Sequence, residues 1–349
     1  MNHHCVWGDR GTSRREFLTS LAAIGAGAMI PASRLLAQTG APTTRAARGR
    51  IDVHHHLYPP FYVKEMGANS TWTPAASLDA MDKNDVATAM LSPVQGLVRD
   101  SMSDRSERAR SLTRRSNEYG AQVVKDRPER FGLFAALPLP DQDGSLREIA
   151  YAYDVLKTDG IGLWTSYMDK WLGDPVFAPA FEELNRRNAV IFVHPARAAC
   201  CRELPGQSGI MEFDIDTART IDSLLLNGTL ARFPNVRFIF VHSGGAFPTL
   251  APRVIDDFPR NRADRVPNGV EYEIKRLYFD VAHGTGRPAL AALQALVPVS
   301  QILYGSDGLI RAYELTDRSL DQYDGFSRND LKAIYRGNAE RLFPRLKSV

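Results

Sequence analysis

The feature that most constrains this chain is where its histidines fall. From Arg50 onward, short apolar runs alternate with longer amphipathic stretches, and six histidines, His54, His55, His56, His194, His242 and His283, each follow such a run. The runs read as strands over Ile51–Val53, Ala87–Leu91, Phe131–Leu137, Gly160–Trp164, Val190–Val193, Val236–Val241, Leu277–Phe279 and Gln301–Tyr304. Helix-like spacing fills most of the gaps, over Ser106–Lys125, Ser145–Lys157, Ala178–Asn188, Thr217–Leu230 and Ala289–Leu296. Strands separated by helices of this length pair in parallel through crossovers. Eight such units predict an α/β fold of the closed (β/α)8 TIM-like barrel type. An open doubly wound sheet is the alternative, but no glycine-rich fingerprint follows the first strand.

In a barrel of this kind the chemistry sits at the carboxyl ends of the strands. The period of a strand puts His54 and His56 on one side and His55 on the other. The fifth, sixth and eighth strands deliver His194, His242 and Asp307. Neutral imidazoles with one carboxylate suit a divalent transition metal and leave room for water or substrate. Zn²⁺ is the first expectation, and Mn²⁺, Fe²⁺ and Co²⁺ accept the same ligands. His283 is read as a residue beside the site or in its wall. The adjacent Cys200 and Cys201 are left outside it, and three cysteines cannot build a disulfide framework.

The first residues read as an export signal. Arg14 and Arg15 precede an apolar run, Phe17 to Ile30, that is 14 residues long. A span needs roughly 18 to 20, so no permanent membrane span is expected. The arginine pair resembles the twin-arginine class of signal, which implies the Tat export machinery as a partner of the precursor and a periplasmic or exported location. Residues 1–37 are assigned to the signal, 38–48 to a linker and 49–349 to a single barrel domain. Lys plus Arg total 43 and Asp plus Glu 40. With charge so balanced and no long block of one sign, a nucleic-acid partner is not expected.

The segments Asp52-Val53-His54-His55-His56, Phe192-Val193-His194-Pro195, Val241-His242-Ser243-Gly244-Gly245-Ala246-Phe247-Pro248 and Gly305-Ser306-Asp307 together resemble the amidohydrolase superfamily. The resemblance runs from about Arg50 to the C-terminus. It is strongest to the branch that includes aminocarboxymuconate-semialdehyde, 6-methylsalicylate and γ-resorcylate decarboxylases. Connecting segments agree, among them Trp72-Thr73-Pro74, Arg127-Pro128-Glu129-Arg130-Phe131-Gly132 and Tyr335-Arg336-Gly337-Asn338-Ala339.

The resemblance implies one divalent metal per chain held by His54, His56, His194 and Asp307, with His242 and Asp307 as catalytic groups. No lysine ends the fourth strand, so a second, lysine-bridged metal is not expected. The family also implies a homodimer in which an arginine reaches a neighbouring subunit's substrate; Arg260 and Arg262 are the nearest candidates, although Asn261 occupies the aligned position. Tyr58, Trp164, Phe247 and Tyr167 are candidate walls for a flat ring. After Asp307 this chain continues Gly308-Leu309-Ile310-Arg311 where the family usually places an aromatic residue.

The first functional expectation is non-oxidative decarboxylation of a small aromatic or enoic carboxylic acid. The second is hydrolysis of an amide, lactone or ester, often cyclic, on the same residues. The third is a periplasmic metal- or ligand-binding protein without turnover.

Overall fold

The computed structural model describes residues 49–66, 70–93, 107–196, 210–283, 286–308 and 310–348. The expected signal and linker, together with Cys200 and Cys201, lie outside these residues. Eight strands form one parallel sheet in chain order: β1 (Arg50–Leu57), β2 (Val86–Pro93), β3 (Phe131–Ala136), β4 (Gly160–Trp164), β5 (Val190–His194), β6 (Arg237–Phe240), β7 (Tyr278–Asp280) and β8 (Ile302–Leu303). The ends of this sheet meet. Val53 N–H donates to Tyr304 O (3.0 Å) and Asp307 N–H to His54 O (2.9 Å), joining β1 to the segment that follows β8. The sheet is therefore a near-closed barrel, as the alternation of runs and helices predicts.

Period-2 alternation sorts the strand residues into two layers. Val190, Phe192, Ile239 and Val241 belong to the inner cluster, whereas Ile191, Val193, Phe238 and Phe240 pack outward beneath the helices. Phe134 and Phe192 stack inside the barrel with centroids 5.1 Å apart. Phe343 meets Phe134 edge-on from the C-terminal segment, which plugs the barrel floor. Arg345 fastens that plug to the start of β3 and β4 through Pro128 O and Asp159. The inner layer is thus filled from below, and the upper ends of the strands are left for polar groups.

Most element bounds shift by a few residues from the sequence reading; β1 runs on to Leu57, four residues past its expected end at Val53, and three other shifts have a visible cause or consequence. The helix expected over 145–157 begins at Gln142, because Asp141 caps it by accepting from Gly144 N–H, and ends at Tyr151 in a wider turn over Ala152–Leu156. The helix expected over 217–230 runs Ile210–Leu226, and Gly228, at φ 69°, separates it from the short turn Thr229–Arg232. A positive φ suits glycine and stops a helix at that point. The seventh strand extends to Asp280, one residue beyond its expected end. Among the described residues no helix is long and apolar enough to cross a membrane.

Candidate metal centre

The site is built where the strand ends converge. In β1 the inward residues Ile51 and Val53 would, by simple alternation, be followed inward by His55. The pairing with β2 shifts register between Asp52 and His55, however, and that bulge reverses the alternation. His54 and His56 therefore face the barrel axis. His55 turns outward into a buried pocket, its Nε2 2.9 Å from Ser77 Oγ and its Nδ1 3.1 Å from Tyr313 Oη. β5 ends on His194, His242 follows β6, and Asp307 follows β8.

His54, His194, His242 and Asp307 each offer one ligand atom, and these atoms all lie within 4.8 Å of one another, so the group can hold a metal ion. His56 joins them, its Nε2 2.6 Å from Asp307 Oδ1. His54 Nε2 lies 2.9 Å from the same oxygen, and His283 Nε2 lies 3.1 Å from Oδ2. The imidazoles of His54, His56 and His194 form the tightest triad, with ring centroids 4.9 to 5.2 Å apart. His242 stands slightly farther out, 5.3 Å from His54 and 5.5 Å from His194.

The far side of two rings fixes their tautomers. His54 Nδ1 lies 2.9 Å from Asp280 Oδ2, and His194 Nδ1 lies 3.0 Å from Pro195 O. Both partners only accept, so each Nδ1 carries the proton and each Nε2 turns a lone pair into the cluster. His54 Nε2 and His242 Nε2 are buried and face only the Asp307 carboxylate, at 2.9 and 3.5 Å. Buried nitrogens of this kind are costly unless something satisfies them, and a cation does so directly.

The electrostatics agree. Burial alone would raise the Asp307 carboxyl, but the surrounding imidazoles, His54 foremost, outweigh it and hold Asp307 well below the ordinary carboxylate range. Burial pulls the His54 imidazole down, yet Asp307 and Asp280 overcome it and push it up to about 10. His194 is pushed down to about 3 by burial, with His56 and His54 adding to the effect. Burial also lowers His56. An ionised carboxylate among buried rings draws in one positive charge: a proton on His54 when the cluster is alone, or a metal cation in its place.

The backbone is bent to make this possible. His242, Ser243, His283 and Asp307 all have φ between 44° and 68°, four of the nine non-glycine residues with positive φ among those described. Such conformations are stored where the surrounding structure overrides them. Gly305 is needed for close approach, since a Cβ there would lie 2.9 Å from both Asp280 and His54.

Several partners were not singled out in the sequence. Asp280 accepts from His54 on one oxygen and from the backbone N–H groups of His242 and Ala282, each at 3.0 Å, on the other. Its signal was available: it ends a strand just as His194 does, but the expected strand stopped one residue short. Asp52 accepts from Ser306 N–H (2.9 Å), Ser306 Oγ (2.6 Å) and Tyr313 Oη (3.0 Å), anchoring the loop that carries Asp307.

Beside the cluster, Trp164, Tyr167, Leu137, Phe192, His56 and His194 are among the residues lining a mainly apolar recess. Trp164 meets His194 edge-on at 5.6 Å. Tyr58 lies 6.5 Å from His56, ring to ring, and its hydroxyl is raised by burial and by Asp307. Phe247 is buried in the outer apolar layer. Arg260 and Arg262 lie on the exposed turn Arg260–Arg265, where Arg262 donates to Leu226 O.

Residues 51–345 match the amidohydrolase family model. The chain belongs to that family. It is 34% identical over 328 residues to decarboxylase macB of Penicillium terrestre, covering 85% of this chain and 96% of the relative. It is 30% identical to the 6-methylsalicylic acid decarboxylase of Penicillium expansum, covering 86% and 98%. Among solved structures, 2,6-dihydroxybenzoate decarboxylase from Rhizobium superposes with a TM-score of 0.70 at 20% identity, covering 86% of this chain and 99% of the other. The 5-carboxyvanillate decarboxylase of Novosphingobium aromaticivorans, in complex with manganese, gives 0.71 at 19%, covering 85% and 97%. These two likenesses establish the shared fold.

Proposed function

We propose that this chain is a metal-dependent, non-oxidative decarboxylase of a small aromatic carboxylic acid. The reading rests above all on one pairing of facts: relatives at 30 to 34% identity, matched over nearly their whole length, are named decarboxylases, and the strand ends here gather imidazoles and a carboxylate around one point. His54, His56, His194 and Asp307 are assigned as ligands because the three rings form the tightest triad and His56 and His54 share Asp307 Oδ1. His242 is assigned to the substrate side, where its ring adjoins His283 at 5.9 Å. One divalent cation per chain is proposed, Zn²⁺ first, with Mn²⁺, Fe²⁺ and Co²⁺ as the other candidates.

A cation bound there supplies Lewis acidity for the substrate carboxylate and a neighbouring ring oxygen. The chain's residues do the rest. The apolar side chains Trp164, Tyr167 and Phe192 beside the cluster would wall one side of the ring. A proton taken up from solvent at the facing Asp307–His242 pair is delivered to the ring carbon that bears the carboxylate, so a C–H bond forms from the ring's π electrons. The C–C bond to the carboxylate then breaks, its electron pair restores the aromatic ring, CO₂ leaves, and water re-protonates the donor.

The test is CO₂ release from a panel of hydroxybenzoates, set against acid release from lactones and anilides, after metal loading verified by elemental analysis. Release of CO₂ from the first panel is expected. Acid release without CO₂ would make the chain a hydrolase, and a loaded protein inert on both panels would make it a binding protein. The same proposal places the mature protein in the periplasm or outside the cell, supported by Arg14-Arg15 and the short apolar run after them. Replacing both arginines with lysine should strand the precursor inside.

A further inference from the structure

The ladder between β4 and β5 ends with Trp164 opposite His194. Thr165 continues it by one step, its N–H donating to His194 O at 3.0 Å. Its hydroxyl oxygen accepts from Ala196 N–H at 2.8 Å, two residues beyond His194. The hydroxyl proton then needs an acceptor of its own, and Asp216 Oδ2 is in hydrogen-bond contact with it. The direction of this chain is fixed: amide to hydroxyl to carboxylate.

Asp216 lies inside the helix Ile210–Leu226 and is fully buried. It accepts two further bonds, from Trp171 Nε1 at 2.7 Å and from Ser166 Oγ at 3.2 Å. One turn along the helix, Thr220 Oγ donates to Thr165 O at 3.0 Å. Ser166 and Trp171 sit on the two arms of a small hairpin, Ser166–Tyr167 with Lys170–Trp171. That hairpin carries Tyr167, whose hydroxyl oxygen accepts from Trp164 N–H at 3.0 Å. Trp164, Tyr167 and His194 line the same recess. A single carboxylate thus ties the segment after His194 and both arms of the hairpin to one helix.

We propose that Asp216 is a positioning residue, which aims His194 through Thr165 and sets the Trp164–Tyr167 wall through Ser166 and Trp171, so that imidazole and ring slot are held as one unit. This rests on the assignment of His194 as a ligand and of the recess as the substrate slot. Three donors meet at Asp216, the Thr165 and Ser166 hydroxyls at Oδ2 and Trp171 Nε1 at Oδ1. An asparagine has one carbonyl for these two positions: turned toward Thr165 and Ser166 it sets its NH₂ against Trp171 Nε1, and turned toward Trp171 it sets the NH₂ against the Thr165 hydroxyl, which would then have to release Ala196.

The experiment compares Asp216→Asn, Thr165→Val and Thr165→Ser in the full mature chain. Two quantities are read: affinity for Zn²⁺ and Mn²⁺ by competition with a chromophoric chelator, and KM and kcat on a hydroxybenzoate that the parent turns over. Asp216→Asn and Thr165→Val should each weaken metal binding by up to about 10-fold, less than the 10- to 100-fold of losing a partner bonded directly to a ligating ring, and raise KM several-fold. Thr165→Ser keeps the hydroxyl and should restore both. A Thr165→Val protein with a lower melting temperature but parental metal affinity and KM would reduce Asp216 to a scaffold residue and overturn the proposal. So would a Thr165→Ser protein as impaired as Thr165→Val. If Asp216→Asn does not fold, the Thr165 pair still decides. If the parent releases no CO₂ from any hydroxybenzoate, the functional reading fails, while the metal-affinity contrast between Ser and Val still tests Asp216.

Discussion

Replacing Asp280 with asparagine isolates the contribution of a carboxylate that stands behind the cluster without belonging to it. Asp280 is fully buried and meets three donors: His54 Nδ1 at 2.9 Å, and the backbone N–H groups of His242 and Ala282 at 3.0 Å. Asparagine can satisfy the two amides with its carbonyl, but its NH₂ then faces His54. To accept from it, His54 must move its proton from Nδ1 to Nε2, which turns an N–H toward Asp307 and removes the lone pair offered to a cation. A charge-assisted hydrogen bond of this kind contributes about 1.5–3 kcal/mol. Loss of a carboxylate behind a ligating histidine weakens metal affinity about 10- to 100-fold, which is about 1.4–2.8 kcal/mol, so the two figures agree. The assay is chelator competition for Zn²⁺ and Mn²⁺ on the parent and the variant, with far-UV circular dichroism to show that the barrel is intact. An Asp280→Asn protein that is folded and binds either metal within twofold of the parent would refute the tautomer argument.

Three further outcomes are expected. His54→Ala removes the ring shared between Asp280 and Asp307, and metal analysis should fall from about one equivalent per chain to about a tenth or less; a full equivalent would displace His54 from the ligand set. Asp307→Asn should leave the barrel folded and reduce turnover to below about one per cent, since it removes both a charge and a proton carrier; activity above that level would take Asp307 out of the chemistry. Asp141 caps the helix Gln142–Tyr151 and pairs with Arg110; burial raises its carboxyl, but Arg110 and the Gly144 amide win and hold it low. A carboxyl lowered on folding stabilises above its unfolded value near 3.9 and loses that contribution as pH falls through its folded value. Because asparagine caps a helix about as well as aspartate, Asp141→Asn should melt near the parent at pH 7, about 1 kcal/mol or less apart, and show a shallower loss of melting temperature below about pH 4. An unchanged acid limb would show that this pair carries no pH dependence.

What the sequence determined by itself was periodic and local. Eight apolar runs spaced by helix-length segments determine a parallel barrel, and a residue placed within a few positions after such a run lies at the barrel's reactive end, which is why His194, His242 and Asp307 were legible. The period of a strand likewise put His54 and His56 on one side. Tertiary structure decided which side that was, because the bulge that turns both inward is set by pairing with β2 and leaves no mark in β1 alone. It decided the roles of Asp280, Asp52 and Asp216 as well. A buried aspartate in a helix or at a strand end looks the same in sequence whether it faces a histidine, a serine or a tryptophan. What it does depends on donors brought to it from positions up to 261 residues away, and only the closed barrel brings them.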